Sequence, residues 1–195
     1  LPVTRLEDGE PMIVHVWRRA MESGVGPVIV ATESARIADY SRVEVIDFSA
    51  SGGKKFDDAK KQQEYDDSLA EARVRFADKI AEALGKTGEF GEVTRKPAAS
   101  DALRISGDIT RYDEGNIVAR GLTGFAGQTH FEAVVVITDA SSGREIARVT
   151  VDRNSWPLPV GASASTLQTT NYFMENAAKK VADELLAARK REIGR

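Results

Sequence analysis

The sequence predicts an α+β domain: a mixed, mostly antiparallel sheet with two helices packed on one face. Two segments carry apolar residues at steps of three or four, and several shorter ones alternate or form brief apolar runs. Their order along the chain is strand, helix, four strands, helix.

Residues 1–39 read as an N-terminal arm with two short strands, "MIVHVW" (12–17) and "PVIVAT" (27–32), separated by "ESGVG". The α+β domain is expected over 40–195. It opens with the apolar strand "VEVIDF" (43–48), which "SASGGKK" ends. From 57 to 84, Tyr65, Leu69, Ala72, Phe76, Ile80 and Ala83 recur at helical spacing with charged residues between them, and Gly85 and Gly88 are stop signals. "EFGEVTRK" (89–96) reads as an edge strand closed by Pro97. In "DALRISGDITRYDEG" (101–115), Leu103, Ile105, Gly107 and Ile109 alternate with polar residues. "THFEAVVVITD" (129–139) and "REIARVTVDR" (144–153) flank a short connection, Ala140 to Gly143, and predict an antiparallel hairpin. The second helix is expected over 168–190, with Phe173, Ala177, Val181 and Leu185 on one stripe. A single strand–helix–strand unit is visible, so 43–48 and 89–95 are expected to be the only parallel neighbours.

Composition excludes several classes. Of 195 residues, 42% are hydrophobic and 29% charged, and no stretch reaches the roughly 18–20 apolar residues of a membrane span. Net charge is −3, with 27 basic against 30 acidic side chains, so no overall field draws in a polyanion and no nucleic-acid partner is expected. The absence of cysteine removes disulfides, thiolate metal sites and cysteine nucleophiles. A start at Leu1-Pro2-Val3 leads us to expect that a signal peptide or lipid-anchored leader has been cut away.

Gly121, Gly124 and Gly127 have the spacing of a phosphate loop, but such loops run from a strand into a helix N-terminus. These glycines lead into a strand and read as a link or bulge. "DFSASGGKKF" (47–56) does run from strand to helix, and it carries Ser49, Ser51, Lys54 and Lys55, yet it matches no phosphate fingerprint. His15 and His130 lack a second imidazole or carboxylate at metal-like spacing. The acidic residues Asp57, Asp58, Glu64, Asp66, Asp67 and Glu71 alternate with basic ones and read as a solvated helix face. No catalytic, cofactor-binding or metal-binding constellation emerges, so no enzyme activity is expected. "WPLPV" (156–160), an apolar loop stiffened by two prolines, is a candidate partner contact through Trp156 and Leu158.

"YSRVEVIDFSAS" (40–51), "FADKIAEALGKTGEFGEV" (76–93), "ALRISGDITRYDEGN" (102–116), "GLTGFAGQTHFEAVVVITDASSGREIARVTV" (121–151) and "AAKKVADELLAARK" (177–190) together resemble the bacterial lipoprotein family catalogued as domain of unknown function 4410. The most telling part is Asp139 followed by Ser142-Gly143-Arg144-Glu145-Ile146, similar to the family's D-x-x-T-G-x-x-I hairpin, with Ser142 in place of the usual Thr. The resemblance implies a periplasmic lipoprotein of a Gram-negative bacterium, attached to the outer membrane through a lipidated N-terminal cysteine absent from this chain. It supplies no catalytic residues. The expected function is binding of an envelope partner protein, or support of an envelope assembly, through loops 49–56 and 154–165 and the arm, which could also mediate oligomers. The alternative is a small-molecule or lipid carrier with a cavity between helices and sheet.

Overall fold

The computed structural model describes residues 36–97, 101–114, 129–154 and 169–194. The arm strands expected at 12–17 and 27–32, the three glycines between 121 and 127, and Trp156 and Leu158 lie outside them. After a 3-10 turn at Ile37–Asp39, the elements are β1 (Arg42–Val45), β2 (Ser49–Ala50), α1 (Ala59–Thr87), β3 (Glu92–Thr94), β4 (Ala102–Asp113), β5 (His130–Asp139), β6 (Glu145–Asn154) and α2 (Thr170–Ile193). The architecture is α+β, an open sheet with the two helices packed over it, as the order of elements predicts.

The strand order is β3-β1-β4-β5-β6, with β2 adding to β4 beyond β1. The hairpin β5–β6 is antiparallel, as expected, and so is β4–β5. The expected parallel pair is present, Val43 facing Val93, but it is not the only one. Strand β1 also runs parallel to β4, and β2 runs parallel to β4. Strand β3 is three residues long, and β4 begins on the other side of β1, with Ala102 beside Arg42.

The first strand is also shorter than its apolar run. Regular pairing stops at Val45, and the chain bends so that Phe48, with no exposed surface, turns into the core. Arg73 of α1 holds this bend, its Nε donating to the Phe48 carbonyl at 2.6 Å.

Helix α1 begins at Asp58, whose carboxylate accepts the Lys61 N–H at 2.9 Å, and it runs through Gly85 to end at Gly88, φ 66°. Gly85 is therefore not the stop. Tyr65, Ala72, Phe76, Ile80 and Leu84 are buried, while Leu69 and Ala83 of the expected stripe are only partly so. In α2, all four expected residues, Phe173, Ala177, Val181 and Leu185, are buried. Each large apolar side chain taken fully from water contributes about 1.5–3 kcal/mol, so this packing, rather than helix propensity, holds both helices in place. Both end near the start of β1: Gly91, just beyond α1, donates to the Ser41 carbonyl at 2.8 Å, and Arg189 of α2 donates to the Tyr40 carbonyl at 2.6 Å. Packing reaches back to Ile37, which is 1% exposed.

At the centre, the Phe76 ring contacts both Phe48 and Phe131 edge-on, with centroids 4.8 Å apart in each case. Phe48 fits because β4 carries Gly107 beneath it. A Cβ at 107 would lie 2.6 Å from the Phe48 ring and 2.1 Å from the Val134 carbonyl oxygen. Further along β4, an extra residue, Thr110, bulges out of register between Ile109 and Arg111. That bulge returns Tyr112 to the helix-facing side, opposite Phe131, after the run Leu103, Ile105, Gly107, Ile109. On the opposite side of the sheet Glu44 is only 2% exposed and accepts from Nε and Nη2 of Arg104, each at 3.2 Å.

Gly107→Ala should destabilise the domain by about 1–3 kcal/mol, because the added methyl displaces Phe48 or spreads β4 from β5. Chemical denaturation monitored by circular dichroism measures this. A midpoint equal to wild type would refute the close approach.

Candidate interaction surface

The topology gathers chain exits at one end of the sheet. Ala50 pairs with Ile109, and Asp113 pairs with His130, which pairs with Asn154. The segments leaving β2, β4 and β6 therefore depart from the same end, opposite the β5–β6 turn. Those leaving β2 and β6 are the two singled out in the sequence, 49–56 and 154–165.

The first is held against β4. Ser51 and Gly52 donate their backbone N–H groups to the Ile109 carbonyl, both at 3.2 Å. The Ser49 hydroxyl lies 2.6 Å from one oxygen of Asp108, and the Ser51 hydroxyl donates to the other. Both serines thus spend their protons on a carboxylate. An anion entering here would meet Asp108, not free hydroxyl donors. Lys54 pairs with Asp113, which also lies 3.5 Å from Arg111, while Lys55 is exposed. Of the six expected contact residues, the structure brings Ser49, Ser51, Lys54 and Lys55 together in one loop.

Sequence reasoning missed the aromatic member of this surface. Phe56 is 41% exposed, and its ring lies over Tyr65 with centroids 5.4 Å apart. Tyr65 follows Phe56 by nine positions and was legible only as a core residue of α1. The Tyr65 hydroxyl donates to the Tyr112 carbonyl at 3.0 Å, and the Tyr112 hydroxyl meets Glu114 and Ser68, both at 2.9 Å. Burial pushes the Tyr112 hydroxyl well above its ordinary pKa, with the Glu114 charge acting in the same direction, so it stays protonated and anchors the end of β4 to α1. Burial likewise raises Tyr65. His130 has a carboxylate neighbour that sequence spacing could not reveal: Asp152 on β6, with Oδ1 2.8 Å from Nε2. Among the described residues no group of three or more His, Cys, Asp or Glu side chains could hold a metal ion.

At the other end of the sheet, Asp139 closes the hairpin. One carboxylate oxygen accepts the backbone N–H of Ser141 at 2.9 Å and of Ser142 at 2.7 Å, together with both serine hydroxyls. The other accepts the Tyr40 hydroxyl, tying the turn to the entry of β1. Gly143 takes φ 69°, which a side chain would resist. The Ser142 oxygen also accepts the Arg144 N–H at 3.3 Å. Threonine would offer the same hydroxyl.

The family model described as a domain of unknown function (DUF4410) matches residues 43–159, more than half of the chain. The chain belongs to this family. In this chain the Asp139–Gly143 hairpin is held by the bonds that Asp139 accepts. Among solved structures, a Xanthomonas campestris protein of the DUF330 family has a similar fold, with TM-score 0.52 and 12% identity, covering 87% of this chain and 98% of that one. A minor lipoprotein from Acinetobacter baumannii, also 12% identical, gives a TM-score of 0.38 over 77% of this chain and 95% of that one. The chain is also 65% identical over 40 residues to the 3-deoxy-manno-octulosonate cytidylyltransferase of Methylorubrum populi, which is 20% of this chain and 16% of the enzyme. The chain thus spans about a sixth of the length of the curated relatives it matches. A block of about 40 residues is too short to bury a core of its own, and the enzyme's activity stays with the enzyme.

Ser141, Tyr40 and Ser142 together hold the Asp139 carboxyl far below its ordinary value. Its contribution to stability is therefore present above the unfolded carboxylate pKa, and it is lost as pH falls through the depressed one. Tyr40, raised by burial and by its bond to Asp139 to about 12, contributes fully below its ordinary 10.0 and loses that contribution as pH rises toward 12. Asp139→Ala should cost about 1–3 kcal/mol at neutral pH. Melting curves across pH should also show that the variant loses the part of the acid and alkaline decline due to this pair. Parallel wild-type and variant pH profiles would refute the coupling.

Proposed function

We propose that this domain is a non-enzymatic module of the Gram-negative cell envelope that binds a partner protein through the end of the sheet where 49–56 and 154–165 depart. The observation that carries the reading is that convergence, with the half-exposed Phe56 ring and the exposed Lys54 and Lys55 beside it. Aromatic side chains are enriched at the buried centre of protein interfaces, and charged ones such as these lysines belong to the rim. The periplasmic address, with a lipid anchor in the outer membrane, is the one that the family resemblance implies.

The carrier alternative requires room between helices and sheet. Among the described residues that space holds Phe48, Phe76, Phe131, Ile80 and Met174, each less than 2% exposed. A groove of about 410 Å³ lies instead between the helices, floored by Ala83, Tyr172 and Ala182 and rimmed by Lys79, Glu82, Lys86, Glu175 and Asp183.

Crosslinking in the native envelope, with mass spectrometry of the attached protein, tests the reading. Phe56→Ser, and deletion of 156–160, should each lower the yield of one reproducible partner about ten-fold with the circular dichroism spectrum unchanged. Unchanged yield in both variants would sink the assignment of this surface, and recovery of self-links alone would sink the partner.

A further inference from the structure

The two edges of the sheet differ. Strand β3 offers three residues, too few to template another strand, whereas β6 offers ten. Which of its backbone groups face outward follows from the pairing across the sheet. The carbonyls of Ile105 and Ile109 point toward β1 and β2, since they accept from Ile46, Ser51 and Gly52. Alternate residues of β4, including Ser106 and Asp108, therefore direct their N–H and C=O groups to β5, where they face Val136 and Val134. Ala133, Val135 and Ile137 in turn direct theirs to Val151, Val149 and Ala147 of β6. That leaves Arg148, Thr150 and Asp152 with N–H and C=O pointing away from the sheet. Lys180 of α2 confirms the direction, its Nζ reaching the Thr150 carbonyl at 3.1 Å.

A second copy can satisfy this edge only in registers that set outward-facing residues against one another. Centring on Arg148 or on Asp152 puts like charges together, and centring on Val149 or Val151 sets Thr150 against Arg148 or Asp152, with no opposite charges directly paired. Centring on Thr150 puts Arg148 against Asp152, twice, on the face of the sheet away from the helices. Both side chains are free to do this, at 52% and 62% exposure. Arg148 now pairs with Glu145 at 2.6 Å, and Asp152 lies 2.8 Å from His130, so the new contacts would extend existing charged pairs.

We propose that the outer edge of β6 is a self-pairing edge: two copies of this chain join antiparallel with Thr150 against Thr150, and Arg148 of each copy faces Asp152 of the other. The Lys180 ammonium is displaced to solvent on pairing, and the two sheets become one. The interface is isologous, as a two-fold dimer requires. It lies on the β6 edge, on the other side of β4 from β2 and the Phe56 ring that follows it.

Sedimentation velocity of the full chain over a concentration series should show a monomer–dimer equilibrium. Arg148→Asp and Asp152→Arg should each weaken it about ten-fold, and the double exchange should restore it. Wild type that stays monomeric throughout, or a dimer indifferent to both single exchanges, would overturn the proposal. A second readout does not depend on those charges. The chain has no cysteine, so Thr150→Cys introduces one thiol per copy. In the proposed register the two Cα atoms at 150 lie about 5.5 Å apart, within disulfide range, and mild oxidation should give a crosslinked dimer that reduction reverses. Failure to crosslink at concentrations where wild type dimerises would place the contact elsewhere.

Discussion

The fold turns on a missing side chain. Gly107 lets Phe48 lie directly on the central strand, and Phe48 brings together three parts of the chain that are distant in sequence: the bend after β1, the middle of α1 through Phe76, and β5 through the Phe76–Phe131 contact. Without that close approach the bend at 46–48 would have no place to put its ring, and β2 would not reach its seat beside Asp108 and Ile109. Interiors packed as densely as crystals transmit such a requirement instead of absorbing it, so one absent methyl sets the position of an entire crossover.

The two ends of the sheet are built for different tasks. At the turn end nearly every polar group is committed: Asp139 alone gathers two backbone donors and three hydroxyls, and the helix C-termini close onto the start of β1. The family signature falls here. At the opposite end, the 49–56 segment is braced from behind by Asp108 and Asp113, which leaves an aromatic ring and lysines at the front. Under the proposed function, rigid support beneath an exposed aromatic ring lowers the entropy lost on binding.

The side edge adds a third kind of surface, made of backbone. Because β4 is parallel to its neighbours on one side and antiparallel on the other, the direction of the outward N–H and C=O groups of Arg148, Thr150 and Asp152 on β6 is set three strands away, by which carbonyls β1 and β2 engage. The polar face of the sheet, with the buried Glu44 held by Arg104, is continuous with that edge.

The sequence by itself determined what depends on near neighbours. The stripe in α1, the stripe in α2, the β5–β6 hairpin and the alternation in β4 are all periodicities of one segment, imposed by 3.6 residues per helical turn and two per pleat. Tertiary structure decided what depends on distant partners. The parallel pairing of β1 with β4 joins Arg42 to Ala102, far apart in the chain, and the bulge at Thr110 sets Tyr112 beside Phe131. The partner of the serines at 49 and 51, Asp108, lies nearly sixty residues on in the chain. Likewise, Phe56 could be seen as a surface anchor only once Tyr65 and Tyr112 were beneath it. Local pattern fixes which face of an element is apolar, whereas the identity of what covers that face is a contact between residues far apart in the chain, and no single window of sequence contains both.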